Sequence, residues 1–153
     1  MLGEMVKQFY HDVYWNDVDF LVVDMPPGTG DIALTTFQFL PVDAIVIVTS
    51  PQDLVSTIVQ KAVRMATMMD VPILGLVENM AYVECPCCNE KIEIYGKSHV
   101  QEVADAYGYD VLARIPLRAD NAALADQGKV EFIDGEFLST LVDRVEELDN
   151  KEE

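Results

Sequence analysis

The sequence predicts an α/β domain: a mostly parallel sheet with flanking helices and one inserted hairpin. Three observations carry this. Four short apolar runs, at residues 19–24, 44–49, 73–78 and 111–115, read as strands, and the first three are nearly continuous in apolar residues, as parallel strands covered on both faces are. The segments between them recur at helical spacing. Strand and helix then alternate along the chain, which is the pattern of a parallel sheet joined by helical crossovers.

Taken in order, Leu2, Met5, Val6, Phe9, Tyr10 and Val13 give a helical stripe over residues 2–15. The run 19–24 follows as a strand that delivers Asp24 at its end, and a helix is expected over 31–39. The strand 44–49 leads through Thr49-Ser-Pro-Gln-Asp53 into a helix over 53–69. In that connection Pro51 blocks continuation of the strand, while Ser50 and Asp53 are good helix caps. The strand 73–78 is followed by an interruption, residues 82–95, which reads as two short strands around a cysteine-rich tip. A helix over 97–107, the strand 111–115 and helices near 119–127 and 136–148 complete the chain. One domain over 1–150 is expected, with a frayed acidic tail at 149–153. The opening helix, where a nucleotide-binding domain usually begins with a strand and a glycine-rich loop, makes the chain read as the second half of a larger domain.

Composition narrows the function. Ten Lys and Arg stand against 27 Asp and Glu, a net charge of −17. That balance opposes non-specific nucleic-acid binding, which needs clustered basic groups. No apolar run approaches the roughly 18 to 20 residues of a membrane helix, and Met1 to Tyr10 lacks a signal-peptide pattern. A cytoplasmic protein without nucleic-acid or membrane partners is expected. All three cysteines fall inside Cys85-Pro-Cys-Cys88. A disulfide framework would spread them out, so metal or redox chemistry in a reducing compartment is the better reading.

Two motifs carry chemistry. The first is Asp24-Met-Pro-Pro-Gly-Thr-Gly-Asp31. In open α/β sheets ligands lie beyond the carboxyl ends of strands, and an acid there can hold hydrated Mg²⁺ beside a nucleotide phosphate. A solvated Asp before an ordinary Pro/Gly turn fits the same residues. The second is the C-x-x-C pair Cys85 and Cys88, whose spacing lets two thiolates converge on one metal. Zinc and iron–sulfur clusters normally take four protein ligands. One chain offers these two thiolates, a weaker third in Cys87, and His99 or His11. Two copies related by a twofold axis would supply four thiolates; a single-chain site would have to recruit Cys87 and His99. Asn79, ending the third strand, has the donor and acceptor needed to read an adenine edge, and also suits a plain turn. Pro116 ends the fourth strand, where a rigid turn could wall a base pocket. No phosphate loop is present: Gly96-Lys97-Ser98 lacks the required earlier glycine, since position 91 is Lys91.

Together these residues resemble the Mrp/Nbp35 family of iron–sulfur cluster carriers, deviant P-loop ATPases related to MinD-type proteins. The matching strings are Asp24 to Asp31, Thr49 to Asp53, Glu78-Asn-Met80, Cys85 with Cys88, Ile94-Tyr-Gly96 and Ile115-Pro-Leu117, in family order over roughly residues 19–145. The resemblance implies a partial P-loop NTPase fold of the MinD type. It implies an ATP-dependent carrier that binds a [4Fe–4S] cluster at a homodimer interface and passes it to iron–sulfur apoproteins. Asp24 would be the Walker-B acid near Mg²⁺, and Pro26, Pro27, Gly28, Thr29 and Gly30 the switch loop sensing the γ-phosphate. Asn79 would read adenine with Pro116 beside the base, and Cys85 and Cys88 would bind the cluster with the same pair from a second subunit. The family's phosphate loop, its lysines and its first switch have no counterpart in these 153 residues, so negligible ATP turnover is expected of this chain alone. An open sheet edge favouring association is expected too. Two other readings fit the residues: a zinc-bound dimerisation module, and a MinD-like nucleotide-dependent regulatory switch.

Overall fold

The computed structural model describes residues 2–26, 30–51 and 55–149. Its elements are α1 (Leu2–His11), α2 (Asp31–Phe39), β1 (Ile45–Thr49), α3 (Val55–Met68), β2 (Ile73–Glu78), β3 (Val83–Glu84), β4 (Lys91–Ile92), α4 (Val100–Tyr107), β5 (Val111–Arg114), α5 (Ala119–Asp126) and α6 (Ser139–Asp149). Two short 3₁₀ turns, Val130–Phe132 and Glu136–Leu138, precede α6.

The main sheet is parallel, in the order β1-β2-β5. Its apolar residues alternate between two covered faces. On one face Ile47 and Leu76 pack with Val59 and Val63 of α3 and Val100, Val103 and Ala104 of α4. On the other, Val77, Leu112 and Ala113 pack with Leu138 and with Leu141 of α6. The continuous apolar run in β2 is thus accounted for by helices on both sides, whereas β1 is covered by α3 on one face and leaves Val48 exposed on the other. Gly75 is required where β2 meets β5: a Cβ there would lie 2.6 Å from the Asp110 carbonyl oxygen and 2.7 Å from the Leu112 side chain. Gly108 ends α4 in the left-handed conformation, φ 73°, its N–H closing the last turn.

The cysteine-rich insertion is an antiparallel hairpin, β3 pairing β4 through Val83 with Ile92 and Glu84 with Lys91. Its root is an extension of the main sheet. The Ala81 N–H donates to the Ile115 carbonyl (2.9 Å) and the Leu117 N–H to the Tyr82 carbonyl (2.8 Å).

Two expectations are corrected. The helix expected over 2–15 ends at His11. There Trp15 turns back, its indole N–H donating to the Tyr10 carbonyl (3.1 Å) and its ring meeting Phe9 edge-on. The strand expected over 19–24 is not formed: Phe20 to Val23 run irregular and exposed, Val22 to 90%. A strand is fixed by the backbone groups of a neighbour, and among the described residues none pairs with this run. The α/β class stands with three parallel strands, one fewer than the apolar runs predicted. Among the described residues no helix is long and apolar enough to cross a membrane. The expected tail beyond Asp149 and the cap at Asp53 lie outside the described residues.

Candidate functional site

Parallel register brings the carboxyl ends of all three strands to one edge. Thr49 lies beside Glu78 and Glu78 beside Arg114. The next residues of each strand therefore share that edge: Ser50 and Pro51, Asn79 and Met80, Ile115 and Pro116. This is where open α/β sheets bind ligands.

Asn79 is held there on both sides of its own peptide. Its N–H donates to the Thr49 carbonyl at 2.7 Å, and its side-chain Oδ1 accepts the Met80 N–H at 2.9 Å. Met80 has φ 55°, so the side chain stabilises a tight turn and retains its NH₂ group for another partner. Pro116 is buried between the residues that bond to the hairpin root. Asp24 and Pro26 are exposed, and Gly30 stands at the start of α2 with its carbonyl accepting from Leu34 (3.3 Å). Pro27, Gly28 and Thr29 lie outside the described residues. Among the described residues no hydrogen bond or ion pair ties Asp24 to the edge that carries Asn79 and Pro116.

The tip of the hairpin is a knuckle. The Asn89 N–H donates to the Cys85 carbonyl (2.8 Å) and the Cys85 N–H to the Glu90 carbonyl (2.9 Å), with Asn89 at φ 57°. Cys85 is half-buried, Cys87 and Cys88 are exposed, and all three are free thiols. The backbone N–H of Cys87, then that of Cys88, point at the Cys85 sulfur and hold its thiol below its ordinary value. Donors aimed at a sulfur favour the thiolate, the form that ligates metal. Among the described residues no three His, Cys, Asp or Glu side chains are grouped to hold a metal ion. His99 is instead engaged with Glu102, Nδ1 to Oε2 at 3.0 Å, and that bond is the main reason the Glu102 carboxyl sits below its usual range.

Sequence reasoning passed over a set of charged residues that the structure draws together under the hairpin. Glu78, 1% exposed, accepts from Ser98 Oγ and, at 2.8 Å, from Arg114 Nε. Arg114 also reaches Glu93 at 3.1 Å. Burial opposes its charge, but Glu78 and Glu93 outweigh that and raise its already high pKa. Arg118 bonds Glu84 (3.0 Å) and Asp134 (3.2 Å). The signal was available: the apolar run 73–78 closes on Glu78, and the run 111–115 carries Arg114 one residue before its end.

Fold and edge geometry define an open parallel α/β domain carrying a cysteine knuckle. The family model described as ParA, NUBPL iron-transfer P-loop NTPase, matches residues 1–149, and the chain belongs to that family. Its relatives are iron–sulfur cluster carrier proteins: that of Clostridium perfringens is 41% identical over 131 residues, covering 86% of this chain and 46% of the relative. The carrier of Pyrococcus horikoshii is 37% identical over 153 residues, covering 99% of this chain and 52% of its own length. The nucleotide-binding protein of Archaeoglobus fulgidus, solved in complex with ADP and with cobalt found in it, superposes with a TM-score of 0.81 at 38% identity, over 89% of this chain and 56% of that one. The chain thus spans about half the length of the relatives it matches.

Proposed function

We propose that this chain is the cluster-holding part of an ATP-dependent iron–sulfur carrier. Its cargo is a [4Fe–4S] cluster held between two copies by Cys85 and Cys88 of each, and released to iron–sulfur apoproteins. One observation carries the reading: each chain presents the C-x-x-C pair Cys85 and Cys88 as free thiols on a tight hairpin tip, Cys85 half-buried and Cys88 exposed. Such clusters take four cysteines, so a second copy completes the set. In the same reading Asp24 is the acid near Mg²⁺, residues 26–30 are the loop that senses the terminal phosphate of ATP, and Asn79 and Pro116 meet the adenine. ATP binding and turnover then need the phosphate-gripping groups of the longer family members, and the chain by itself turns over negligible ATP. Residues 1–150 act as one domain with the 82–95 hairpin as its metal-binding appendage. The expected compartment is the cytoplasm, where free thiols stay reduced.

Anaerobic reconstitution with iron and sulfide tests this. The expected product is a brown dimer with iron–sulfur charge-transfer absorbance and about four irons per two chains. Cys85→Ser or Cys88→Ser abolishes retention and weakens dimerisation, whereas Cys87→Ser is milder. A colourless dimer holding one zinc would assign the knuckle a structural role, and a monomer fully loaded with iron would overturn the shared site.

A further inference from the structure

The hairpin that carries the cysteines is tied to the nucleotide edge by more than its two chain crossings. Residues 114–118 form a single short segment that contains Pro116. Its first residue, Arg114, grips Glu93 beyond the returning arm of the hairpin at 3.1 Å. Its last, Arg118, grips Glu84 in the outgoing arm at 3.0 Å. Glu84 is the residue immediately before Cys85. Between the two arginines, the Leu117 N–H bonds the Tyr82 carbonyl and the Ile115 carbonyl accepts from Ala81. Both arginines are anchored from behind, Arg114 by buried Glu78 and Arg118 by Asp134. An arm of two-residue strands has few ladder bonds of its own, so these side-chain bonds fix its direction.

We propose that Arg118 is a positioning residue for the metal knuckle: through Glu84 it sets the placement of Cys85 from the same segment that lines the proposed adenine pocket. This rests on the carrier reading above and adds to it the physical link between its two sites. Residues that orient ligands without touching the metal matter because a thiolate held off its bonding direction binds the metal more weakly. The two pairs that reach the hairpin, Arg118–Glu84 and Arg114–Glu93, are partly exposed on both sides, so their contribution to global stability is small, and their effect falls on the placement of the arm.

The test is anaerobic titration of the purified chain with Co²⁺, read by its thiolate charge-transfer and ligand-field absorbance, in parallel with the thermal midpoint of the metal-free protein. Arg118→Ala and Glu84→Ala are each expected to weaken Co²⁺ binding by about tenfold, the lower end for residues that orient metal ligands, with little change in midpoint. The double variant is expected to be no weaker than either single one, since both remove the same bond. Should Arg118→Ala fold poorly, Arg118→Gln and Glu84→Gln make the same comparison. Native chain that binds Co²⁺ through thiolates alongside variants that bind equally well would overturn the positioning role and leave the carrier reading intact. Native chain that gives no Co²⁺–thiolate absorbance would show that the knuckle does not ligate metal through Cys85 and Cys88, and would overturn both the positioning role and the shared-thiolate site of the carrier reading.

Discussion

Cys85 illustrates how a tight turn prepares a side chain for chemistry. The amide hydrogens of Cys87 and Cys88 converge on its sulfur and hold the thiol below its ordinary value. Because the folded pKa lies below the unfolded one, the contribution to folding is present above the unfolded value and is lost as pH falls through the folded one. The pH midpoint for alkylation of metal-free Cys85 by iodoacetamide, followed by peptide mass spectrometry, should therefore lie below that of an unstructured cysteine peptide. The same sign applies to Asp134, whose carboxyl is lowered first by the Glu136 backbone N–H and then by Arg118. An NMR titration should place its midpoint below the ordinary Asp value, and Arg118→Ala should raise it. Glu78 is a different case. It is buried, with Arg114 as its ion-pair partner. Arg114→Ala leaves a carboxylate in the interior without its counter-charge, and a loss of about 2–4 kcal/mol in urea unfolding is expected, less than for a wholly buried pair because Arg114 is partly exposed.

The elements that were legible in the sequence are those whose pattern is enforced by burial. Runs 44–49, 73–78 and 111–115 became β1, β2 and β5 because α3 and α4 bury one face of the sheet and Leu138 with α6 most of the other, leaving out Val48 at the β1 edge. The run 19–24 had an equally apolar composition and formed no strand. Composition reports that a segment can be buried, whereas pairing depends on a neighbouring backbone, which one-dimensional pattern does not contain. The C-x-x-C tip was legible because turn chemistry is local. The Glu78–Arg114 and Arg118–Glu84 bonds were not, since they join positions 36 and 34 residues apart whose adjacency exists only after the strands have taken their register. Leu76 sits at the centre of the packed face and is fully buried. Leu76→Ala should cost about 2–5 kcal/mol in chemical denaturation. Gly75→Ala should also destabilise, because the Asp110 carbonyl it would strike is backbone and cannot swing aside.

The folded chain presents two unequal surfaces. Most of it carries the −17 net charge, and self-repulsion of that size is screened by salt; the thermal midpoint should rise between low and physiological ionic strength. By contrast, Phe20, Leu21, Val22 and Val23 are exposed together, and Val48 of β1 is exposed as well. Contiguous apolar surface and an open strand edge promote association. Val22→Lys should reduce concentration-dependent self-association in sedimentation velocity without lowering the unfolding midpoint. The hairpin has a further consequence. β3 and β4 are two residues each, so the tip can breathe open while the sheet beneath it stays shut. Cargo seated there would act as a clasp on its own cradle: amide exchange at Cys87, Cys88 and Asn89 should be fast in the empty protein and slow once loaded, and an acceptor would need to wait only for that small opening rather than for the domain to unfold.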